Sequence, residues 1–279
     1  MERIRRFIRE LSERQWLEST ELRDWNITRT TYMVPGVYED TAPYAEGQDF
    51  NRFPSTQGTT YFFRRNLELP THWVDGAIGL VFHSGGEGLL RINGVSYQGL
   101  DRNHTFVKLD PKRTGMNMEL EIELYDPIPE PVDPLNQQAV IQPPITRVQS
   151  MLVNVNVPVQ SLMYTATVIR DSLILLPDSD MRRIRLLEAL YQAMDRFVSL
   201  DDAAIRDGAQ VTGIEQDLKQ AVTAIGGHAE GTEHMVGQSH IDIAWLWPVR
   251  ETVRKTSRTF SSMDALMNEY PEFKYAQSQ

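Results

Sequence analysis

The sequence of 279 residues is long enough for about two domains, at ~100–200 residues each. Its composition, with 41% hydrophobic and 24% charged residues, is that of a folded globular protein, and the absence of cysteine excludes disulfides and thiolate metal sites. The net charge of -10 argues against a nucleic-acid partner, because phosphate binding requires concentrated positive charge. No membrane partner is expected either, since there is no apolar run of ~18 residues.

The first segment, residues 1–30, is predicted to form an N-terminal helix and its exit. Ile4, Phe7, Ile8 and Leu11 recur at helical spacing and give the helix one apolar side. The segment has no apolar core like that of a secretory signal. Together with the cysteine-free composition, which fits a reducing compartment, this predicts a cytoplasmic location.

Residues 31–157 carry short runs rich in β-forming residues, separated by glycine, proline and asparagine clusters. Asn93 and Gly94 lie between two such runs and predict a hairpin with a two-residue turn. Several short strands at this spacing predict an antiparallel β-sandwich domain over residues 31–157. The proline-rich stretch between Pro127 and Pro144 indicates an irregular loop.

From Pro158 onward the apolar residues follow a helical period, and residues 158–228 are predicted to be a helical connector. Pro158 suits the first turn of its first helix, and Pro177 ends that helix. A later helical stretch is expected to be interrupted at Gly208 and Gly213.

Residues 229–279 are predicted to begin an α/β catalytic domain with one β-α-β unit. A short strand leads into the motif that contains His240, Pro248 opens a helix that ends near Tyr270, and a second strand follows. This order implies a parallel sheet, whose ligands bind beyond the carboxyl ends of the strands.

His240 and Asp242 are the candidate metal ligands. A strand repeats its side-chain direction every two residues, so both side chains would project the same way. An imidazole and a carboxylate side by side supply half of a first-row metal site, which takes three or four protein ligands. The alternative is a capped strand end at which a carbonyl group satisfies the histidine.

Two tryptophans follow directly. A flat indole beside a polar site suits stacking on the C–H face of a sugar ring, whereas the alternative for each is packing in the core. We favour sugar binding for Trp245 and packing for Trp247.

The following helix carries a series of charged residues. Glu251 and Lys255 have the spacing and order of a helical ion pair. We interpret most of this face, including Arg254, as solvated, with a polar cleft as the alternative environment for Arg258.

The segment from Met235 to Gln279 closely resembles the start of the catalytic domain of the family 38 glycoside hydrolases, the zinc-dependent retaining α-mannosidases. The shared pattern is His-x-Asp, Ala-Trp-Leu-Trp-Pro, Glu-Thr, Arg-Lys, Arg-Thr-Phe, Tyr-Pro and Ser-Gln, and it extends over about 45 residues without a gap. The stretch GLLRINGVSYQGLDRNH also resembles the N-terminal sandwich domain of the family's cytosolic and vacuolar branch.

The resemblance implies roles for three residues and an overall architecture. His240 and Asp242 match two zinc ligands, and Trp245 matches an aromatic residue that lines the mannose subsite. The family's remaining zinc ligands, which include a histidine and an aspartate that is also the nucleophile, would lie beyond Gln279, as would the acid/base. No catalytic residue is therefore expected here, and the 279 residues alone are expected to be inactive. The implied fold class is an α and β multidomain protein: an antiparallel β-sandwich, a helical connector and the first β-α-β unit of an α/β barrel-like catalytic domain.

The sequence therefore predicts the N-terminal portion of an α-mannosidase that uses Zn²⁺ and acts on α-mannosides or mannose-containing oligosaccharides. A homo-oligomer is compatible with this hypothesis. Two alternatives stay open: a standalone carbohydrate-binding or interaction module built on the sandwich, and an unrelated metal hydrolase that shares the His-x-Asp pair.

Overall fold

The computed structural model describes residues 1–44, 49–73, 76–128, 143–226, 231–245 and 247–278. The chain divides into two compact units. The helical unit comprises Met1–Ser19, Asp75–Ala77 and Val153–Glu233, and the sheet unit comprises Thr20–Val74, Ile78–Leu152 and His234–Gln279. Within the described ranges, no helix combines the length and the apolar character that crossing a bilayer requires.

The helices and strands of the described residues are numbered in chain order. The helices are α1 (Glu2–Arg14), α2 (Pro111–Thr114), α3 (Val157–Leu175), α4 (Met181–Val198), α5 (Asp202–Asp207), α6 (Ala209–Ile225) and α7 (Val249–Glu269). The strands are β1 (Trp16–Glu21), β2 (Asn26–Val34), β3 (Val37–Pro43), β4 (Thr60–Glu68), β5 (Ala77–His83), β6 (Glu87–Ile92), β7 (Val95–Leu100), β8 (Phe106–Leu109), β9 (Asn117–Tyr125) and β10 (Gln149–Val155).

The strands form two sheets. One has six strands in the order β3-β2-β4-β9-β6-β7, and each neighbouring pair in it is antiparallel. The other has four strands in the order β1-β10-β5-β8, of which β5 and β8 pair antiparallel. Antiparallel sheets together with helices confirm the predicted mixture of α and β structure.

The apolar core of the sheet unit is built from alternate residues of these strands, because successive side chains point to opposite faces. Phe63 of β4 and Ile122 of β9 are fully buried in one apolar cluster. The ring of Phe63 meets that of Phe82 of β5 edge to face, with centroids 5.3 Å apart. On the opposite face, Arg64 and Glu121 form an ion pair at 2.7 Å. The six-stranded sheet thus has one apolar and one charged face.

The hairpin predicted at Asn93 and Gly94 is confirmed. β6 ends at Ile92 and β7 begins at Val95, and these two residues pair across the turn. The φ angles are +52° at Asn93 and +78° at Gly94. Two consecutive positive φ angles are what a type I′ turn requires, and asparagine followed by glycine adopts them most readily.

The predicted N-terminal helix is confirmed over its first half and wrong over its second. In α1 the buried residues are Ile4, Phe7 and Leu11, as their spacing predicts. The helix ends at Arg14, however, and β1 and β2 both begin before residue 30. Strands therefore start well before the predicted boundary at residue 31, because these segments find pairing partners in the two sheets.

The helical connector forms in the predicted place. α3 has Pro158 in its first turn, and the side chain of Asn156 accepts a hydrogen bond from the Val159 amide at 3.4 Å. A break occurs at Gly208, whose φ of +82° ends α5, whereas α6 continues through Gly213 without the predicted interruption. The proline-rich loop lies largely outside the described residues.

The last predicted unit is only partly formed as expected. α7 matches the predicted helix, but the two strands predicted on either side reduce to a single parallel bridge between Gly237 and Tyr275. In that bridge the Gly237 amide donates to the Lys274 carbonyl at 2.8 Å, and the Ala276 amide donates to the Gly237 carbonyl at 2.9 Å. The parallel direction agrees with the prediction, while extended ladders are not present among the described residues.

Candidate functional site

The three predicted site residues lie in the segment between the bridge at Gly237 and α7, residues 238–248, which we call the His240 loop. Nε2 of His240 lies 3.0 Å from Oδ1 of Asp242. The side chains are 48% and 27% exposed, respectively, so both reach solvent. They lie side by side, as a two-residue spacing predicts, although the backbone here is irregular rather than a strand.

The chemistry of this pair is that of an incomplete metal site. The neutral imidazole offers a nitrogen donor and the carboxylate an oxygen donor, both of which zinc accepts. In the described part of the chain, no group of three or more histidine, aspartate or glutamate side chains is arranged to hold a metal ion. The pair therefore supplies two ligands, and the rest of a tetrahedral shell would come from other groups.

The two tryptophans of the loop have different environments. Trp245 is 51% exposed, so its indole face is available to a ligand. Trp247 is half-buried: its Nε1 donates to Oγ1 of Thr252 at 3.1 Å, and Nζ of Lys255 lies 4.5 Å from its ring centroid. Trp247 thus packs on the first turns of α7, against polar partners rather than in the predicted apolar core.

Thr252 connects the His240 loop to α7. Its hydroxyl donates to the carbonyl oxygen of Ile243 and lies 3.4 Å from that of Asp242, while it accepts the bond from Trp247. The side chain of Thr252, in the first helical turn, therefore contacts both the backbone of Asp242 and the ring of Trp247. Nothing in the sequence pattern singled out Thr252.

Glu251 and Arg254 of α7 are not solvated, which corrects the prediction for these two residues, whereas Arg250 is exposed as predicted. Glu251 and Arg254 are each only 6% exposed, because α7 packs across the charged face of the six-stranded sheet. Nε of Arg254 donates to Oε2 of Glu251 at 3.1 Å, and a second guanidinium nitrogen donates to Oε1 of the same carboxylate. Nη1 of Arg254 donates to Oγ1 of Thr60 in β4 at 2.8 Å.

Aromatic rings and a second carboxylate complete the surroundings of Arg254. Its guanidinium lies 4.1 Å from the ring centroids of both Tyr32 and Tyr125. Oε1 of Glu123 is 3.6 Å from Nη1 of Arg254. A buried arginine is stable only where such partners compensate the loss of water.

The predicted ion pair between Glu251 and Lys255 is also wrong, since each pairs elsewhere. Nζ of Lys255 donates to Oε1 of Glu87 in β6 at 3.1 Å, and Arg258 donates to Oε2 of the same carboxylate. Burial alone raises the pKa of Glu87, but the charges of Arg258 and Lys255 outweigh it and hold the pKa below its usual range. Arg258 is thus largely buried beside the carboxylate of Glu87, which agrees with the polar surroundings considered as its alternative.

This segment is similar to a known family domain, and the chain as a whole is similar to known α-mannosidases. The model described as the glycosyl hydrolases family 38 N-terminal domain matches residues 230–279. Alpha-mannosidase G of Dictyostelium discoideum is 26% identical over 237 residues, which are 79% of this chain and 21% of the relative. Alpha-mannosidase 2C1 of Homo sapiens is 28% identical over 258 residues, 85% of this chain and 24% of the relative.

Solved structures are less similar. A beta-glucuronidase from an uncultured Clostridium sp. has 14% identity and a TM-score of 0.31, and the match covers 49% of this chain and 29% of that chain. That value is too low to support an argument about fold or function.

The chain spans about a quarter of the length of the two mannosidases, with 21% and 24% of them covered. The matched family domain contains the His240 loop, α7 and the bridge at Gly237. Residues 230–279 are thus similar to the N-terminal domain of the family 38 glycoside hydrolases, and most of the chain is similar to part of two α-mannosidases.

Proposed function

We propose that this chain is the N-terminal portion of an α-mannosidase that hydrolyses terminal α-linked mannose with retention of configuration. One observation carries the proposal: residues 230–279 match the family domain, and within them His240 and Asp242 lie 3.0 Å apart. Mannose-containing glycosides are the substrates that the names of the relatives suggest.

His240 and Asp242 are the residues that would hold the zinc ion. The donor types fit, both side chains are partly exposed, and they face each other closely enough to share one ion. Binding requires the neutral imidazole and the ionised carboxylate. When bound, zinc would supply a Lewis-acid centre for the hydroxyl groups of the sugar.

Trp245 is the residue that would bind the mannose ring. Its exposed indole offers a flat apolar face beside a polar site, and the C–H face of a sugar stacks on such a surface. Trp247 is not assigned this role, because it is engaged with Thr252 and Lys255.

Retaining hydrolysis needs a nucleophile and an acid/base, with their two carboxyl groups ~5–5.5 Å apart. The resemblance assigns Asp242 to the zinc ion alone, and we assign neither role to any residue of the described chain. The 279 residues alone are therefore proposed to bind ligand without turning it over.

The finer architecture and the location form part of the same proposal. The edge-to-face contact of Phe63 and Phe82 supports a β-sandwich, and the parallel bridge at Gly237 supports the start of an α/β barrel-like domain. The absence of cysteine from the sequence supports a cytoplasmic location.

Calorimetric titration of the chain with zinc chloride tests the metal pair. The wild type is expected to bind zinc weakly, and His240→Ala or Asp242→Ala to weaken binding by more than the ~10–100-fold typical of residues that only support a ligand. The matched control is His104→Ala, because Nδ1 of His104 lies 2.9 Å from Oδ2 of Asp101 in another exposed pair. Binding that survives His240→Ala, or depends equally on His104, would overturn the assignment.

Incubation of the pure chain with an aryl α-mannoside tests the proposed lack of turnover. No product is expected. Turnover that a chelator leaves unchanged would contradict both the role of zinc and the assignment of the catalytic carboxylates to other residues.

A further inference from the structure

We propose that the six-stranded sheet positions the His240 loop, with Arg254 and Thr252 as the two positioning residues. The proposal deepens the proposed function, on which it rests for the identity of the ligands that the loop binds. It assigns the sheet a role in holding the zinc-binding pair. The sheet contacts Arg254 of α7, and Thr252, two residues earlier in the same helix, contacts the loop.

The first contact fixes α7 on the sheet. Arg254 is buried, and β4 and β9 surround its guanidinium with Thr60, Glu123 and Tyr125. A shift of the helix would separate these groups and leave charges buried without partners, which is strongly unfavourable. This interaction therefore defines one register of α7 on the sheet rather than a range of positions.

A second anchor holds the same turns by the backbone. The hydroxyl of Tyr32 in β2 donates to the carbonyl oxygen of Arg250 at 2.9 Å, and the ring of Tyr32 covers the guanidinium of Arg254. The start of α7 is thus attached to the sheet both through a side chain and through the main chain.

The last contact transmits this position to the site. Thr252 lies two residues before Arg254, and its hydroxyl contacts the carbonyl oxygens of Asp242 and Ile243. Through its bond to Nε1 of Trp247 it also holds the end of the loop. The path from the sheet to the His240–Asp242 pair is therefore a continuous series of packed and hydrogen-bonded groups, the kind of network that can carry energetic coupling.

The described part of the loop has little regular structure of its own. Beyond the bridge at Gly237, its N-terminal end is held by a hydrogen bond from Nε2 of Gln238 to Oγ of Ser278 at 2.8 Å, between exposed residues. A segment with few buried contacts depends for its conformation on the elements to which it is attached. The attachment to α7 is therefore expected to determine the fraction of time in which the side chains of His240 and Asp242 lie close enough to share one ion.

Hydrogen exchange of residues 238–248 and zinc titration, both on the whole chain, test the proposal. Arg254→Met removes the charge and the sheet contacts, and Thr252→Val removes only the hydroxyl. Both are expected to speed exchange in the loop at least tenfold and to weaken zinc binding by about 10–100-fold, the range for residues that orient a ligand. The matched control is Lys108→Met, which breaks the exposed 3.2 Å pair with Glu269 at the far end of α7 and is expected to change neither quantity.

Thr252→Val separates positioning from overall stability. It leaves the sheet contacts of α7 intact, so exchange in α7 should match the wild type while exchange in the loop rises. This variant also keeps the proposal falsifiable if Arg254→Met does not fold. Unchanged loop exchange and unchanged zinc affinity in Thr252→Val would overturn the proposal.

The two proposals fail in distinguishable ways. If the wild type binds zinc through His240 and the Thr252 variant matches it in both zinc affinity and loop exchange, the positioning role is wrong and the proposed function stands. If zinc binding does not involve His240, the proposed function fails, and the exchange rates still decide whether the sheet holds the loop.

Discussion

Gly99 of β7 lies directly beneath α7, and its replacement by alanine is expected to displace the helix. A Cβ at this position would lie 2.7 Å from the carbonyl oxygen of Arg258 and 2.9 Å from Oγ of Ser262. The first of these atoms belongs to the helix backbone and cannot rotate away. The Gly99 amide also donates to Oγ of Ser262 at 3.1 Å, a bond that the displacement would weaken.

The expected loss follows from these contacts. Overpacking a fitted interface costs ~1–3 kcal/mol, and loss of one hydrogen bond costs ~0.5–1.5 kcal/mol. Gly99→Ala should therefore lower the free energy of unfolding of the sheet unit by about 1.5–4.5 kcal/mol. Urea unfolding followed by tryptophan fluorescence measures the loss, and hydrogen exchange in α7 reports the displacement.

Gly94→Ala is the matched control in the same hairpin. Gly94 has open space around it but a φ of +78°, so alanine should cost ~1–2 kcal/mol of strain without moving α7. Faster exchange in α7 is expected only for Gly99→Ala. If Gly99→Ala leaves both the unfolding free energy and the exchange in α7 at wild-type values, the close approach of helix and strand is refuted.

Two further predictions concern charge and helix stability. Because the pKa of Glu87 is held below its usual value of 4.5, the ionised carboxylate stabilises the fold above that pH, and the contribution is lost as pH falls through the lowered pKa. Glu87→Gln should accordingly flatten the acid side of a urea-midpoint profile, and an unchanged profile would contradict the pairing with Arg258. Gly213→Ala should stabilise the helical unit by ~0.5–1 kcal/mol, because Gly213 lies inside α6 and a Cβ there would meet no atom within 4 Å. Circular dichroism during urea unfolding measures the change. Destabilisation by the alanine would contradict the open space around this position.

Local features of the fold were predictable from the sequence. The turn at Asn93 and Gly94 depends only on two residues that tolerate positive φ, and the start of α3 depends on a proline that fits a first turn. The proximity of His240 and Asp242 is local as well, since they are two positions apart in the sequence.

The strands within the first thirty residues could not be predicted, because their buried residues do not follow strict alternation. In β2 the buried residues are Ile27, Thr30 and Tyr32, which do not alternate strictly. Ile27 belongs to the apolar cluster, whereas Tyr32 lies on the opposite face against Arg254 of α7, so the strand has buried positions on both faces. A sequence search for strict alternation cannot recognise such a strand.

The burial of Arg254 could not be predicted for a different reason. Its partner Thr60 is 194 residues away in the sequence. A charged helix face looks the same in the sequence whether water or an oppositely charged sheet covers it. The partners, rather than the helix itself, decide between these two environments.

The helical unit has a consequence for the order in which the chain folds during synthesis. Its helix α1 packs through Phe7 on Phe197 of α4, with ring centroids 5.7 Å apart, and belongs to one apolar cluster with α3 and α6. Roughly 140 residues separate the end of α1 from the start of α3, which at ~5–20 residues per second takes roughly 7–30 s to translate. Throughout that interval the apolar side of α1 has no partner from the later helices, so stable packing of this N-terminal segment in the helical unit must wait until those helices are synthesised.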